Sequence, residues 1–181
     1  MPASDSPSTD VATQDDRPPA QRLLDTVRHP RFQEQAALAL PEGLPPARFI
    51  RVAVTALMEN EELAACEPFS VRNSLMKAAA DGLLPDGREA ALVIFKDSKT
   101  GTKKASYLPM VGGFRKIAAE HGWSLRAAVV YEGDDFDYEL GAEPKIQHRA
   151  APLGTKREKI VAAYAVARRY RDGLAREPAQ I

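Results

Sequence analysis

Residues 90–110 read AALVIFKDSKTGTKKASYLPM, and in this stretch the chain changes from helix-forming to strand-forming sequence. Two short apolar runs, 90–96 and 105–110, flank a segment rich in turn-forming and basic residues. This arrangement predicts a β-hairpin. Pro109 has no backbone N–H to donate, so the second strand is expected to end there or to lie at a sheet edge. The tip of the hairpin would carry Lys96, Lys99, Lys103 and Lys104.

The sequence before the hairpin has the periodicity of helices. We predict helices over residues 21–29, 32–40, 47–60 and 70–80, with Ser70 as the N-cap of the last one. The third helix places Phe49, Val52, Ala53, Ala56 and Leu57 on one face, which is expected to enter the core. Gly82 is expected to adopt the left-handed conformation that ends the fourth helix.

The sequence after the hairpin predicts one more helix and three more strands. Gly112 and Gly113 lead into a helix over residues 114–120. Strands are predicted over residues 124–132, 135–140 and 159–170, and a loop through Pro144 and Pro152 precedes the last of them. The predicted fold class is therefore α+β, with N-terminal helices followed by an antiparallel β-meander with a β-hairpin and one inserted helix.

Length and composition suit one compact domain of 181 residues. Residues 1–20 are poor in apolar side chains and are predicted to form a disordered tail; residues 21–175 would form the core, and 176–181 a short second tail. Cys66 is the one cysteine, which excludes an intrachain disulfide and a cysteine-based zinc site. The longest apolar run is too short for a membrane helix, and the N-terminus does not fit a signal peptide. We therefore expect a cytoplasmic protein with no membrane partner.

The charges are balanced in total but unevenly distributed along the chain. Lysine plus arginine and aspartate plus glutamate both number 25, which argues against binding nucleic acid through bulk charge. Residues 89–131 nevertheless carry a net charge of +4, residues 132–147 of −5, and residues 148–181 of +5. This pattern would suit a basic groove beside an acidic subunit edge. Ordinary solvated surface charge is the alternative.

Five ordered segments carry a more specific pattern. They are FQEQAALALPEGLPPARFIRVAVTAL (32–57), FSVRNSLMKAAADGLLPDG (69–87), YLPMVGGFRKIAAEHG (107–122), VVYEGDDFDYELG (129–141), and HRA with YAVARRYRDG (148–150 and 164–173). Together they resemble the RecT family of phage and prophage single-strand DNA annealing proteins. Residue by residue, the resemblance covers Gly113, Phe114, Arg115, His148, Arg149, Tyr164 and Arg168.

The resemblance implies single-stranded DNA binding and ATP-independent annealing of complementary strands in phage-type homologous recombination and DNA repair. Such a protein is not an enzyme and needs no cofactor. It would form a homo-oligomer, a ring or filament, and serve a partner exonuclease. The family's core continues into further helices after the last strand, so the chain is expected to be incomplete at the C-terminal end of that core.

Candidate DNA-binding residues follow from the chemistry of annealing. Such a protein must hold a strand by its phosphates with lysine and arginine, and support the bases with aromatic groups. The candidates are Lys96, Lys99, Lys103, Lys104, Tyr107, Phe114, Arg115, Lys116, Arg149, Arg168 and Arg169. Two structural alternatives stay open: lysines that merely keep the hairpin tip soluble, and salt bridges from Arg115 or Arg168 to a carboxylate at 132, 134 or 135.

Two other functions are compatible with parts of the sequence. Asp135, Asp137 and Glu139 would share one strand face and suggest a metal-dependent nuclease, but no histidine or separated carboxylate helps to complete such a site. A structural remnant that oligomerises without annealing is the second alternative. Phosphate-binding loops are absent from the sequence, and Cys66 has no histidine nearby in sequence, so neither nucleotide hydrolysis nor nucleophilic catalysis is supported.

Overall fold

The computed structural model describes residues 17–171 and 174–178 and confirms the α+β class. Its N-terminal part consists of α1 (Pro19–Arg28), α2 (Pro30–Ala39), α3 (Pro46–Glu59), a 3₁₀ helix (Glu61–Ala65) and α4 (Pro68–Ala80). The remaining elements are β1 (Ala90–Lys96), β2 (Lys103–Pro109), α5 (Val111–Glu120), β3 (Trp123–Tyr131), β4 (Asp135–Glu139), β5 (Lys145–Arg149), β6 (Ile160–Arg171) and β7 (Leu174–Pro178).

Proline sets the start of each of the first four helices. Pro19, Pro30, Pro46 and Pro68 occupy the first helical turn, where the missing N–H costs no hydrogen bond and the fixed φ suits a helix. The helices therefore begin one or two residues earlier than predicted. The prediction that Ser70 caps α4 is wrong, because Glu67 holds that position. Residues 1–16 of the predicted tail lie outside the described residues.

The hydrophobic core is built by the helices and by one face of the β1–β2 hairpin. Of the face predicted for α3, Phe49, Ala53 and Leu57 are buried, whereas Val52 and Ala56 are half-buried; Leu75 of α4 is fully buried in the same cluster. Cys66 is buried in the same cluster. No helix in the described part of the chain is long and apolar enough to cross a membrane.

Helix α4 seals the outer edge of the hairpin. Ser74 Oγ donates to the carbonyl oxygen of Ala105 at 3.1 Å, and the backbone N–H of Ala105 donates to Ser70 Oγ at 2.9 Å. One turn earlier, the Glu67 N–H donates to the Lys103 carbonyl. These bonds satisfy backbone groups that an edge strand would otherwise expose for pairing with another chain. The serines of α4 thus serve as hydrogen-bonding partners of β2 rather than as a helix cap.

The strands after α5 pair differently from a simple meander. β3 pairs with β6, β6 pairs with β7, and β4 forms a separate hairpin with β5, all antiparallel. The sequence predicted a loop at β5 because KIQHR contains one aliphatic residue and follows Pro144. β7 overlaps the predicted tail, and the predicted turn at Asp172–Gly173 lies outside the described residues.

Burial differs sharply between the two halves of the chain. The continuous core runs from Leu23 to Ala105, whereas Val130 is the one buried apolar side chain described in β3–β6. α5 connects the two regions by packing against β3. The first half therefore supplies most of the hydrophobic stabilisation, and the second half presents accessible sheet surfaces.

Candidate nucleic-acid interface

The β1–β2 hairpin tip divides its four lysines into two kinds. Asp97 accepts hydrogen bonds from the backbone N–H groups of Lys99 and Thr100 and from Lys104 Nζ at 2.6 Å. The Lys104 ammonium and the backbone donors lower the pKa of Asp97 to about 2. Lys103 Nζ lies 3.6 Å from Glu62. Among the described residues, only the ammonium groups of Lys96 and Lys99 have no partner at the tip.

Two other candidates point inward. The Tyr107 hydroxyl donates to Asp81 at 2.7 Å, and burial together with that carboxylate raises the pKa of Tyr107. Lys116 Nζ donates to the Gly82 carbonyl at 2.6 Å and to Glu89 at 2.9 Å, which ties α5 to the segment after α4. A DNA-binding role for these two residues stays a prediction, but both side chains already have structural partners.

Close packing of α5 leaves one of its faces exposed. A Cβ at Gly113 would overlap the Glu89 carbonyl oxygen and would lie 2.6 Å from Leu83 Cδ1, so only glycine permits this contact. The solvent side of the helix carries Phe114 and Arg115, with Phe114 51% exposed. Arg115 has no ion-pair partner in the described part of the chain. An apolar ring beside a free guanidinium is suited to contact a base and a phosphate.

A buried carboxylate holds the β4–β5 hairpin against β3 and β6. Asp134, whose side chain is inaccessible to solvent, accepts from the N–H groups of Ala151 and Tyr131, from Arg157 at 2.7 Å and from His148 Nε2 at 3.1 Å. These donors, first the Ala151 N–H and then Arg157, hold the pKa of Asp134 well below its usual range. Arg157 also lies over the Tyr131 ring at 4.5 Å.

The structural alternatives for Arg115 and Arg168 are therefore not realised. Asp134 is bonded to Arg157, and Glu132 to Lys159 at 2.9 Å, whereas neither Arg115 nor Arg168 has an ion pair with a described carboxylate. The sequence suggested Arg157 and Lys159 only as members of a basic loop. Their pairing could not be read from spacing, because their partners lie 23 and 27 residues away.

An aromatic cluster extends from this carboxylate. Tyr164 stacks on Phe136 with ring centroids 5.7 Å apart and an interplanar angle of 21°. The Tyr164 hydroxyl lies 3.1 Å from His148 Nδ1, and the Phe136 ring lies 5.8 Å from the ring of Tyr138. His148 and Tyr164, both covered by the family resemblance, thus position the hairpin over the sheet. Offset stacking and the buried polar contacts together fix this arrangement.

A groove of about 620 Å³ lies between the β4–β5 hairpin and one face of β6. Aromatic and aliphatic groups dominate its lining, including Phe136, Tyr138, Ile146, Tyr164 and Val166. Among the described residues, Arg168 is the cation that β6 contributes, whereas Lys145 and Glu139 line the groove at the end of the hairpin but are paired on its outer face. An exposed ring, here that of Tyr138, beside a cation is the combination that sequence-independent binding of single strands uses. Arg168 is the one predicted candidate that lines this groove.

The neighbours of Arg168 are separated by strand geometry. Arg169 is the next residue of β6 and therefore points to the opposite face of the sheet, where it lies across from Trp123. Arg126 of β3 shares the face of Arg168, since it pairs with Val166, two residues away. The sequence analysis missed Arg126; its alternation within SLRAAVVY was the available signal.

The acidic residues of β4 share one strand face, as predicted, and this is the outer face of the β4–β5 hairpin. Asp135 and Glu139 are directly opposite Arg149 and Lys145 of β5, and Asp137 is opposite Gln147. The strip is therefore interleaved with basic side chains. In the described ranges, no three or more His, Cys, Asp or Glu side chains converge to hold a metal ion.

The predicted candidates are thus dispersed. They lie at the hairpin tip, on the exposed face of α5, in the groove at Arg168, on the opposite face of β6 at Arg169 and on the outer face of the β4–β5 hairpin at Arg149, whereas Tyr107 and Lys116 point inward. The sequence of the chain matches the RecT family over residues 47–177. It is also 32% identical over 166 residues to Protein RecT of Escherichia coli strain K12, covering 86% of this chain and 61% of that relative. The chain thus spans about three fifths of the relative's length, and it belongs to the RecT family.

Proposed function

We propose that this protein binds single-stranded DNA and anneals complementary strands without ATP, in recombination of the phage type. The observation that carries the proposal is the groove between the β4–β5 hairpin and β6. It joins the exposed ring of Tyr138 and the half-buried rings of Phe136 and Tyr164 with the guanidinium of Arg168, so it offers a stacking surface for bases and a cation for phosphates. Membership of the RecT family supports the same function.

The mechanism is that of a template. Arg168 and the exposed cations of α5 and the hairpin tip would neutralise phosphates, and the rings of Tyr138 and Phe114 would support the bases. Contacts of this kind leave base edges free, so a second strand can test its complementarity. The free energy of annealing then comes from DNA pairing. Homo-oligomerisation on the strand and delivery of that strand by an exonuclease are parts of this proposal.

The test is a pair of assays on the full chain. Electrophoretic mobility shift with a labelled single strand measures binding, and fluorescence quenching between complementary labelled strands measures annealing. Both are expected to be positive without ATP and without magnesium. Strand cleavage in magnesium would instead support the nuclease alternative. Failure to bind single-stranded DNA at low salt would refute the proposal and favour the structural remnant.

The groove itself is tested by two neighbouring substitutions. Arg168→Gln removes a cation from the groove, whereas Arg169→Gln removes one from the opposite face of the same strand. Loss of one phosphate contact lowers the slope of log affinity against log salt by about 0.7 for single strands. We expect this change for Arg168→Gln and none for Arg169→Gln. Equal slopes in the two variants would contradict the assignment of the groove.

A further inference from the structure

A second cleft lies in the helical half of the protein, on elements that contribute nothing to the groove. It has a volume of about 670 Å³ and is lined by residues of α1, α2 and α4 together with the segments that precede α1 and α2. Its basic lining residues are Arg17, Arg22, His29, Arg31 and Arg72. Within the described part of the chain, the lining shares no residue with that of the groove.

The cleft has an excess of positive charge in a chain whose net charge is zero. Among the residues that the structure describes, four arginines line it and Asp25 is the one carboxylate. That carboxylate is already bonded to Arg17 at 2.6 Å and to Gln21 at 3.1 Å. Arginines gathered around a cleft repel one another, so the arrangement is stabilised when an anion binds.

Three guanidinium groups are available to such an anion. Arg22 and Arg31 are exposed, and their side chains have no hydrogen-bond or ion-pair partner among the described residues. Arg72 donates to the Gln35 side chain at 3.0 Å, which fixes its position while leaving other N–H donors free. Guanidinium groups bind phosphate oxygens through paired N–H donors, so this set is suited to consecutive phosphates of a chain.

We propose that this cleft holds the phosphate backbone of a second DNA strand while the groove holds the first. The inference rests on the proposed function, because annealing brings two strands to one protein. The separate linings allow both strands to be bound at once. Arg22 and Arg31 precede residue 47, where the family match begins, so the site uses side chains outside the matched region.

The experiment is a two-step capture on the full chain. The protein is first saturated on a surface-tethered oligothymidine strand, and a labelled non-complementary strand is then added. The test variant is Arg22→Gln/Arg31→Gln. The matched control is Arg48→Gln/Arg51→Gln, which removes two exposed arginines of α3 that lie outside the cleft. Loss of two phosphate contacts is expected to weaken capture of the second strand about tenfold near physiological salt.

Binding to the first strand should stay within about twofold of wild type in both variants, and the control should capture the second strand normally. Equal capture by test and control variants would overturn the inference. A test variant that binds only the first strand more weakly would also overturn it. So would a test variant that loses self-association in sedimentation but still captures the second strand, because that result would mean that an acidic surface of another copy occupies the cleft. If wild type fails to bind the first strand, the proposed function itself fails.

Discussion

The hairpin tip gives the sharpest quantitative prediction. Asp97 and Glu62 already balance Lys104 and Lys103, so two of the four tip lysines, Lys96 and Lys99, remain available for phosphates. Each phosphate contact contributes about 0.7 to the salt slope for single strands, so Lys96→Gln/Lys99→Gln should lower the slope by about 1.4. Between about 50 and 200 mM salt, wild type should then lose about sevenfold more affinity than this variant.

The assay is fluorescence anisotropy of a labelled oligothymidine titrated with protein at several salt concentrations. Lys103→Gln/Lys104→Gln is the matched control, because it removes the same charge from the same hairpin but takes lysines that already have carboxylate partners. Its slope should change much less, since distant charge effects are screened at these concentrations. An unchanged slope in the Lys96/Lys99 variant, or equal changes in both variants, would refute the division of the tip into free and paired lysines.

Three further predictions concern the framework that positions the interface. Asp134→Asn should lower the urea midpoint of unfolding at neutral pH. The difference in midpoint between this variant and wild type should shrink as the pH falls below about 4, because a carboxylate with a lowered native pKa loses its stabilising effect as it becomes protonated. A difference in midpoint that does not change with pH would contradict this prediction. Gly113→Ala should destabilise the protein by about 1–3 kcal/mol in chemical denaturation, because the overlap with the Glu89 carbonyl outweighs the helix propensity gained; a rise in stability would show that α5 shifts freely. Ser74→Ala should lower the stability of the protein by about 1–3 kcal/mol, because it leaves the carbonyl group of Ala105 without its donor. Asn73→Ala, on the exposed side of α4, should leave the stability unchanged, and thermal melting of the two variants measures the difference.

Local sequence patterns predicted most of the elements. The β1–β2 hairpin follows from two apolar runs around DSKTGTKK, and the left-handed Gly82, with φ of 65°, follows from its place after α4. Such features depend on the conformational preferences of neighbouring residues. The helices start at the prolines at 19, 30, 46 and 68, and proline is typical of the first helical turn. The predicted starts are one or two residues too late, because they are placed by apolar periodicity, which reports only the buried face of a helix.

Strand pairing after α5 could not be predicted in the same way. The turn at Gly133–Asp134 suggested neighbouring strands, yet β3 pairs with β6, nearly thirty residues further along the chain. The carboxylate of Asp134 accepts hydrogen bonds from Tyr131, His148 and Arg157, and these bonds hold β4 over the sheet instead of beside β3. A hydrogen-bond network of this kind leaves no periodic trace in the sequence.

The sequence by itself determined the order of most helices and strands, the apolar face of α3 that enters the core and the resemblance to the family. Only the tertiary structure decided which cations are available to a ligand. Lys116 is bonded to Glu89, 27 residues away, and Arg157 is bonded to Asp134. Arg22 and Arg31 meet Arg72 in one cleft, although Arg72 lies about forty residues further along the chain. Periodicity depends on neighbours along the chain, but the state of a charge depends on whichever side chains folding brings within a few ångströms.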